Sequence, residues 1–194
     1  MTLYQRFCEL PIEPRLIGLE KSEMQVDYFC TPRGTRTIGF ENCIQYCFIR
    51  GYGETVFAVN PESCADQYVY PLAKDFRDFL RLILACGSTT AVEQIILWTQ
   101  EQFLQFLSSE DNAPLPQQLK TLEIIRKELR LTPMEDPYTY VKNLQADFDL
   151  SKLYFSDEYY KTAGLPLPEG RKPKKQKPLW ETAFTVAFQR KTPD

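Results

Sequence analysis

Residues 69–87 read VYPLAKDFRDFLRLILACG, and the fold turns on how this stretch is taken. Leu72, Phe76, Phe79, Leu80, Ile83 and Leu84 recur at steps of three and four, which lays one broad apolar stripe along a helix. Lys74, Asp75, Arg77, Asp78 and Arg81 fall on the other side, with Lys74 and Asp78 spaced as an i,i+4 pair. Pro71 suits the approach to the helix or its first turn, and Gly87 suits its C-terminal stop. No residue here is an obvious agent of chemistry. The stretch reads as scaffold, with function on the surfaces around it.

Upstream, the period changes from helical to alternating. QVDYFC at residues 25–30 alternates and is followed by the turn residues TPRG; a short strand is expected over residues 35–40. Residues 43–50 and 54–60 flank Gly51-Tyr52-Gly53, which predicts a hairpin with a three-residue loop. Ile44, Tyr46 and Phe48 share one face of the first arm. In the second arm Val56 opposes Thr55, Phe57 and Val59, so both faces of this sheet should be partly covered.

Downstream, the chain reads as further helices. Thr90-Ala91-Val92-Glu93 has the pattern of a capping box, and so does Thr99-Gln100-Glu101-Gln102 after Trp98. Two short helices with a break near Trp98 are expected, the later one burying Phe103, Phe106 and Leu107. Pro116 opens another with Leu119, Leu122, Ile125 and Leu129 on one stripe. Asp136-Pro137 starts a last one with Tyr138, Val141, Leu144 and Phe148 inward. Beyond GLPLPEG the texture changes: RKPKKQK carries five basic residues, and residues 179–188 alternate aromatic and small as a late strand that needs a partner.

Length and composition narrow the function. A chain of 194 residues with 43% hydrophobic and 13% aromatic residues can bury a core, so one packed domain with an appendage is expected. There is no histidine, which removes the commonest general base, the Ser-His and Cys-His pairs and the commonest metal ligand. No stretch approaches the twenty or so apolar residues of a membrane span, and the N-terminus lacks the pattern of a signal peptide, so a cytoplasmic protein is expected. In a reducing compartment Cys8, Cys30, Cys43, Cys47, Cys64 and Cys86 read as free, packed thiols. Four strand residues would hold the Cys43 and Cys47 sulfurs roughly 13 Å apart, too far for one zinc ion. A metal at Cys30 and Cys64 stays open, and no cofactor is indicated.

Charge divides along the chain. Residues 171–194 hold seven Lys/Arg and two Asp/Glu, a net of +5, so the whole chain's −3 leaves −8 for residues 1–170. With proline interleaved and an acidic body, the basic run reads as a solvated linker rather than a nucleic-acid contact. No glycine-rich phosphate loop is present. Glu54, Glu62 and Asp66 lie close in sequence, and two of them could serve a carboxylate-dependent hydrolase, with a raised carboxyl pKa in a concave pocket as its mark. Tyr154, Tyr159 and Tyr160 are candidates either for an interface or for packing on the body.

The succession GYGETVFAVNP, VYPLAKDFRDFLRLILACG and WTQEQFLQFL resembles the SUKH superfamily of bacterial toxin-immunity proteins and fungal cell-wall-synthesis regulators. The resemblance covers residues 37–107 and rests on Leu72-Ala73-Lys74-Asp75-Phe76-Arg77-Asp78-Phe79-Leu80, which matches that family's apolar–small–x–x–Phe–x–x–Phe–Leu helix. It implies an α+β binding protein without catalysis, often one that neutralises a nuclease toxin, and brings no catalytic residues with it.

The expectation is therefore an α+β fold, an antiparallel sheet from the N-terminal third packed against about four or five helices. Residues 1–165 would form the domain, and residues 166–194 a Pro/Lys-rich linker with a terminal strand or tail. The expected role is a non-catalytic protein-binding module, an immunity protein for a basic nuclease toxin, with Tyr52, Glu54, Glu62 and Asp66 as contact residues. The alternatives are the histidine-free hydrolase and a self-associating module, a homodimer exchanging the 179–188 strand.

Overall fold

The structure is a computed structural model and describes residues 1–21, 27–63 and 67–168. The basic run and the late strand expected over 179–188, with the exchange it would permit, lie outside the described residues. The chain divides into two compact units, Met1–Ser156 and Asp157–Asp194.

The first unit is an α+β fold, an N-terminal antiparallel sheet packed against several helices. Its strands β1 (Thr35–Glu41), β2 (Ile44–Ile49), β3 (Val56–Val59) and β4 (Val69–Ala73) pair as a meander in chain order. β1 and β2 join through Asn42-Cys43, where Asn42 takes a left-handed φ of 52°. Leu19 and Glu20 run beside β1: Glu20 and Phe40 exchange backbone hydrogen bonds of 2.9 and 2.8 Å. Gly39 permits this approach, because a Cβ there would stand 3.1 Å from the Leu19 backbone.

Residues 69–87 are not one helix. Their first five residues are the edge strand β4, and the helix α2 is Phe76–Cys86. Asp75 ends the strand's course and caps the helix, its side chain accepting the Asp78 N–H at 2.8 Å. Pro71 therefore opens nothing; it sits in an edge strand, where a missing N–H costs least. Lys74 lies outside the helix, and Asp78 pairs with Arg81 at 3.0 Å instead. Gly87 does stop the helix, its N–H reaching the Ile83 carbonyl at 2.8 Å.

Two further strand expectations change. Asp27–Cys30 is not a strand: the Thr31 hydroxyl accepts the Tyr28 N–H at 2.8 Å and closes a turn. The β2–β3 loop is Arg50–Thr55, longer than three residues, because pairing stops at Phe48 and Val56.

Every residue of β2 and β3 is buried, so both sheet faces are covered. On one face Tyr46, Phe48, Val56, Ala58 and Leu72 join the main core with α2. Phe76 sits at its centre, ringed by Tyr4, Phe7, Phe48 and Phe79 at 5.1 to 6.2 Å. Burying such a side chain contributes about 1.5–3 kcal/mol. Tyr4 and Phe7 come from α1 (Leu3–Cys8), which Thr2 and Gln5 start with a capping box. The other face carries Gln45, Cys47 and Phe57. There the Thr31 hydroxyl donates to Gln45 at 3.0 Å, Gln45 donates to Thr37 at 2.8 Å, and Phe148 packs on Phe57 at 5.3 Å.

The remaining helices are α3 (Thr89–Leu97), α4 (Gln100–Leu107), α5 (Pro116–Glu128) and α6 (Pro137–Ala146). The Thr99 capping box and the Asp136-Pro137 start form as the sequence predicts. The Thr90 box does not: the cap is Ser88, so α3 begins two residues earlier than Thr90 would start it, and Thr90 turns its hydroxyl to Glu41 at 3.0 Å. α5 buries Ile125, Leu129 follows it into the core and Leu122 packs against it, as the expected stripe has it; Leu119 is instead 51% exposed, and Thr121 is buried in the same helix. Among the described residues no single helix is long and apolar enough to cross a membrane; α2 and α3 have the apolar length together but meet at 97°.

In the second unit the described part is α7 (Asp157–Thr162) and the turn after it, where the Leu165 N–H reaches the Tyr160 carbonyl at 2.8 Å. The Tyr159 and Tyr160 rings meet edge to face at 5.2 Å.

Candidate functional site

The sequence-predicted contact residues fall at opposite ends of β3. Tyr52 lies in the β2–β3 loop with its ring against Phe57 at 5.6 Å and Phe148 at 5.7 Å, and burial pushes its phenol pKa up. Glu54, two residues on, is exposed. Glu62 lies in the β3–β4 connection, also exposed, its N–H donating to Asn60 Oδ1 at 2.9 Å. Four strand residues separate these loops by about 13 Å. Asp66 lies outside the described residues. The structure thus brings Tyr52 and Glu54 together and sets Glu62 apart, beside the β1–β2 turn. There its carboxylate raises the pKa of the exposed Cys43 thiol.

The end of the sheet that holds Glu62 also holds a half-open cleft of about 160 Å³. Ile44 at the start of β2, Asn60 after β3 and Tyr70 on β4 form one wall; Glu93, Leu97 and Trp98 form the other. The second wall exists because Thr99 starts α4 immediately after α3 ends. Trp98 is the C-cap left at the corner, packed edge to face on Phe106 at 5.5 Å, and Leu97 is left 57% exposed. Across the cleft the Tyr70 phenol donates to the Gln67 carbonyl at 2.6 Å and lies 2.9 Å from the Ser63 hydroxyl.

On the α3 wall of the cleft, Glu93 has a second carboxylate, Glu41, as its electrostatic neighbour. Glu93 is half-buried, with Gln94 Nε2 donating to its Oε1 at 3.1 Å and the buried Tyr46 phenol 3.5 Å from its Oε2. Burial first, and the neighbouring Glu41 second, push the Glu93 carboxyl up to about 7; Tyr46 and Gln94 oppose this. Glu41 is raised too, chiefly by burial, against the hydroxyl bond from Thr90 and with Glu20 adding to the rise. Thr89 holds the floor, donating to the Gly18 carbonyl at 2.8 Å. Among the described residues no Lys or Arg forms an ion pair with Glu41 or Glu93. Glu93 therefore exchanges its proton near neutral pH, in a concave site.

Sequence reading missed Glu93, taking it as the last residue of a capping box. The available signal was its place in TTAVEQIIL, a single charge in an otherwise uncharged helix.

The thiols divide into two groups. Cys30, Cys47 and Cys86 are buried and free, and burial pushes their pKa values up to about 11, 12 and 12, so they stay protonated and unreactive. Cys8 and Cys43 are exposed rather than packed, because the first ends a short surface helix and the second sits in a tight turn. Cys64 lies outside the described residues. Among those described, no three Cys, Asp or Glu are grouped to hold a metal ion.

Compared with known protein families, with curated proteins and with solved structures, the chain returns no match.

Proposed function

We propose that this chain is a non-catalytic protein-binding module that receives a basic partner surface at the acidic end of its sheet. The carrying observation is the gathering of Glu20, Glu41, Glu62 and Glu93 from four separate segments at that end. There Glu20 raises the pKa of Glu41, Glu41 that of Glu93 and Glu62 that of Cys43. Such a field steers a positive partner and disfavours wrong ones. The role agrees with what the SUKH resemblance over residues 37–107 implies, a binding protein without catalysis that often neutralises a nuclease toxin. Of the expected contact residues, Glu62 belongs to this end of the sheet, while Tyr52 and Glu54 lie in the β2–β3 loop at the other.

The test is capture of partners from the source organism by the tagged chain at low and high salt, repeated with charge reversals. A partner that is lost at high salt and lost with Glu20→Lys/Glu62→Lys, but retained by Glu54→Lys, is the expected result. Equal retention by all three proteins would remove this end of the sheet from consideration.

A second reading has one observation in its favour: the Glu93 carboxyl, held near neutrality in a cleft, has the mark expected of a histidine-free hydrolase. Cleavage of chromogenic ester, glycoside or phosphodiester substrates that Glu93→Gln abolishes would support it. Cleavage unchanged in that variant would count against it.

A further inference from the structure

The geometry points to the cleft between Glu93 and Trp98 as a receptor for one guanidinium group, an arginine side chain of the partner or a small free guanidinium compound. This rests on the reading of the acidic end as an interface, and adds the chemical group it takes.

The size sets the first limit. A cavity of about 150 Å³ accommodates a benzene-sized group, so a cleft of about 160 Å³ admits the head of one side chain and not a nucleotide or a sugar chain. Its chemistry sets the second. One wall presents a carboxylate, Glu93, and an indole, Trp98; Ile44 and Leu97 supply apolar surface for a methylene stem. A guanidinium is planar and weakly hydrated. It can bond a carboxylate with two N–H groups and stack on an aromatic face at the same time. An anion would meet Glu93 with Glu41 behind it, both negative when ionised.

The charged and titratable groups around Glu93 define how binding responds to pH. Glu41 reaches it from β1 and Tyr46 from β2, with Gln94 beside it on α3. The cation nearest on α6, Lys142, is engaged elsewhere: it donates to the Ile96 carbonyl at 2.9 Å and lies over the Tyr138 ring. Glu93 must release its proton to bind a cation, so binding strengthens as pH rises through the neutral range.

The experiment is a titration of the full chain with methylguanidinium, methylammonium and acetyl-Gly-Arg-Gly-amide, followed by the NMR signal of the Trp98 indole N–H. The expected result is saturable binding of the guanidinium probes at pH 8, about tenfold weaker at pH 6 and lost in Glu93→Gln. Weaker binding in Trp98→Leu, with Glu54→Gln unchanged, gives an independent check should Glu93→Gln misfold. Methylammonium should bind more weakly than methylguanidinium. A peptide that binds better than methylguanidinium identifies a protein side chain as the source; one that binds no better identifies a small compound. No saturable shift with either guanidinium probe, or equal affinity in Glu93→Gln, overturns the inference. Probe binding without any protein partner would overturn the interface reading alone, and a captured partner with no saturable binding of either guanidinium probe would overturn the cleft alone.

Discussion

Tyr140 on α6 donates its phenolic hydrogen to the Asp78 carboxylate on α2 at 2.8 Å, while the same oxygen accepts the Lys74 N–H at 2.9 Å. One side-chain atom thus ties a late helix to the point where β4 becomes α2. Tyr140→Phe removes both bonds without removing the ring. The expected loss is about 1–3 kcal/mol in urea unfolding, with an unchanged slope. A loss under about 0.5 kcal/mol would mean that water replaces the phenol at both partners.

Gly18 holds the carboxylate corner together by being small. Its φ is +77°, and a Cβ there would collide with the Thr89 hydroxyl and the Glu41 carboxylate. Gly18→Ala combines left-handed strain with overpacking, so it should cost more than about 2 kcal/mol. Because Glu41 would be displaced, the substitution should also alter the titration of Glu93, readable by NMR of its side chain. A variant as stable as the parent would show that the corner can open freely.

Phe76 makes a sharper test of the core. It is fully buried and its ring meets four others, two of them from α1. Phe76→Ala should cost about 3–5 kcal/mol. The α1 amides should lose hydrogen-exchange protection along with the sheet, since Tyr4 and Phe7 are the contacts that hold that short helix down. If α1 frayed alone, the two elements would be less coupled than their rings suggest.

The α+β architecture was legible because hydrophobic period is a local signal: two for Ile44, Tyr46 and Phe48, and three to four for Phe76, Phe79 and Ile83. The boundary between the two periods was not. Leu72 and Phe76 are four apart, a spacing that fits one helix stripe, yet Leu72 points into the core from a strand and Phe76 from the first turn of α2. Asp75 as the cap was the sequence's only local sign of the change. α1 was missed despite its Thr2-x-x-Gln5 signature, because six residues carry too little periodicity to announce a helix.

The candidate site was less legible for a different reason. Glu93 is acidic in any sequence, but its pKa depends on Glu41, 52 positions earlier, and its floor depends on Gly18. Only the packing of α3 on the end of β1 and on the Gly18 segment brings those together. Tyr52 looked like an exposed loop aromatic, and the ring of Phe148, 96 positions away, covers it.

Glu93 also gives the clearest pH signature. Its folded pKa lies near 7, above its ordinary value of 4.5, so the native state holds this proton more tightly than the unfolded chain does. Below about 4.5 the group is neutral in both states and imposes nothing. As pH rises through 7 the folded protein must carry a half-buried carboxylate beside Glu41, and stability from this group falls to its lower plateau. Glu93→Gln removes the charge while keeping the shape. The variant should match the parent near pH 4 and exceed it at pH 8 by about 1–2 kcal/mol, after allowance for partial exposure. Urea unfolding at the two pH values reads the difference directly. Equal stability at pH 8 would mean that water solvates the carboxylate as well as in the unfolded chain. The cleft would then have no means of making guanidinium binding release a proton near pH 7.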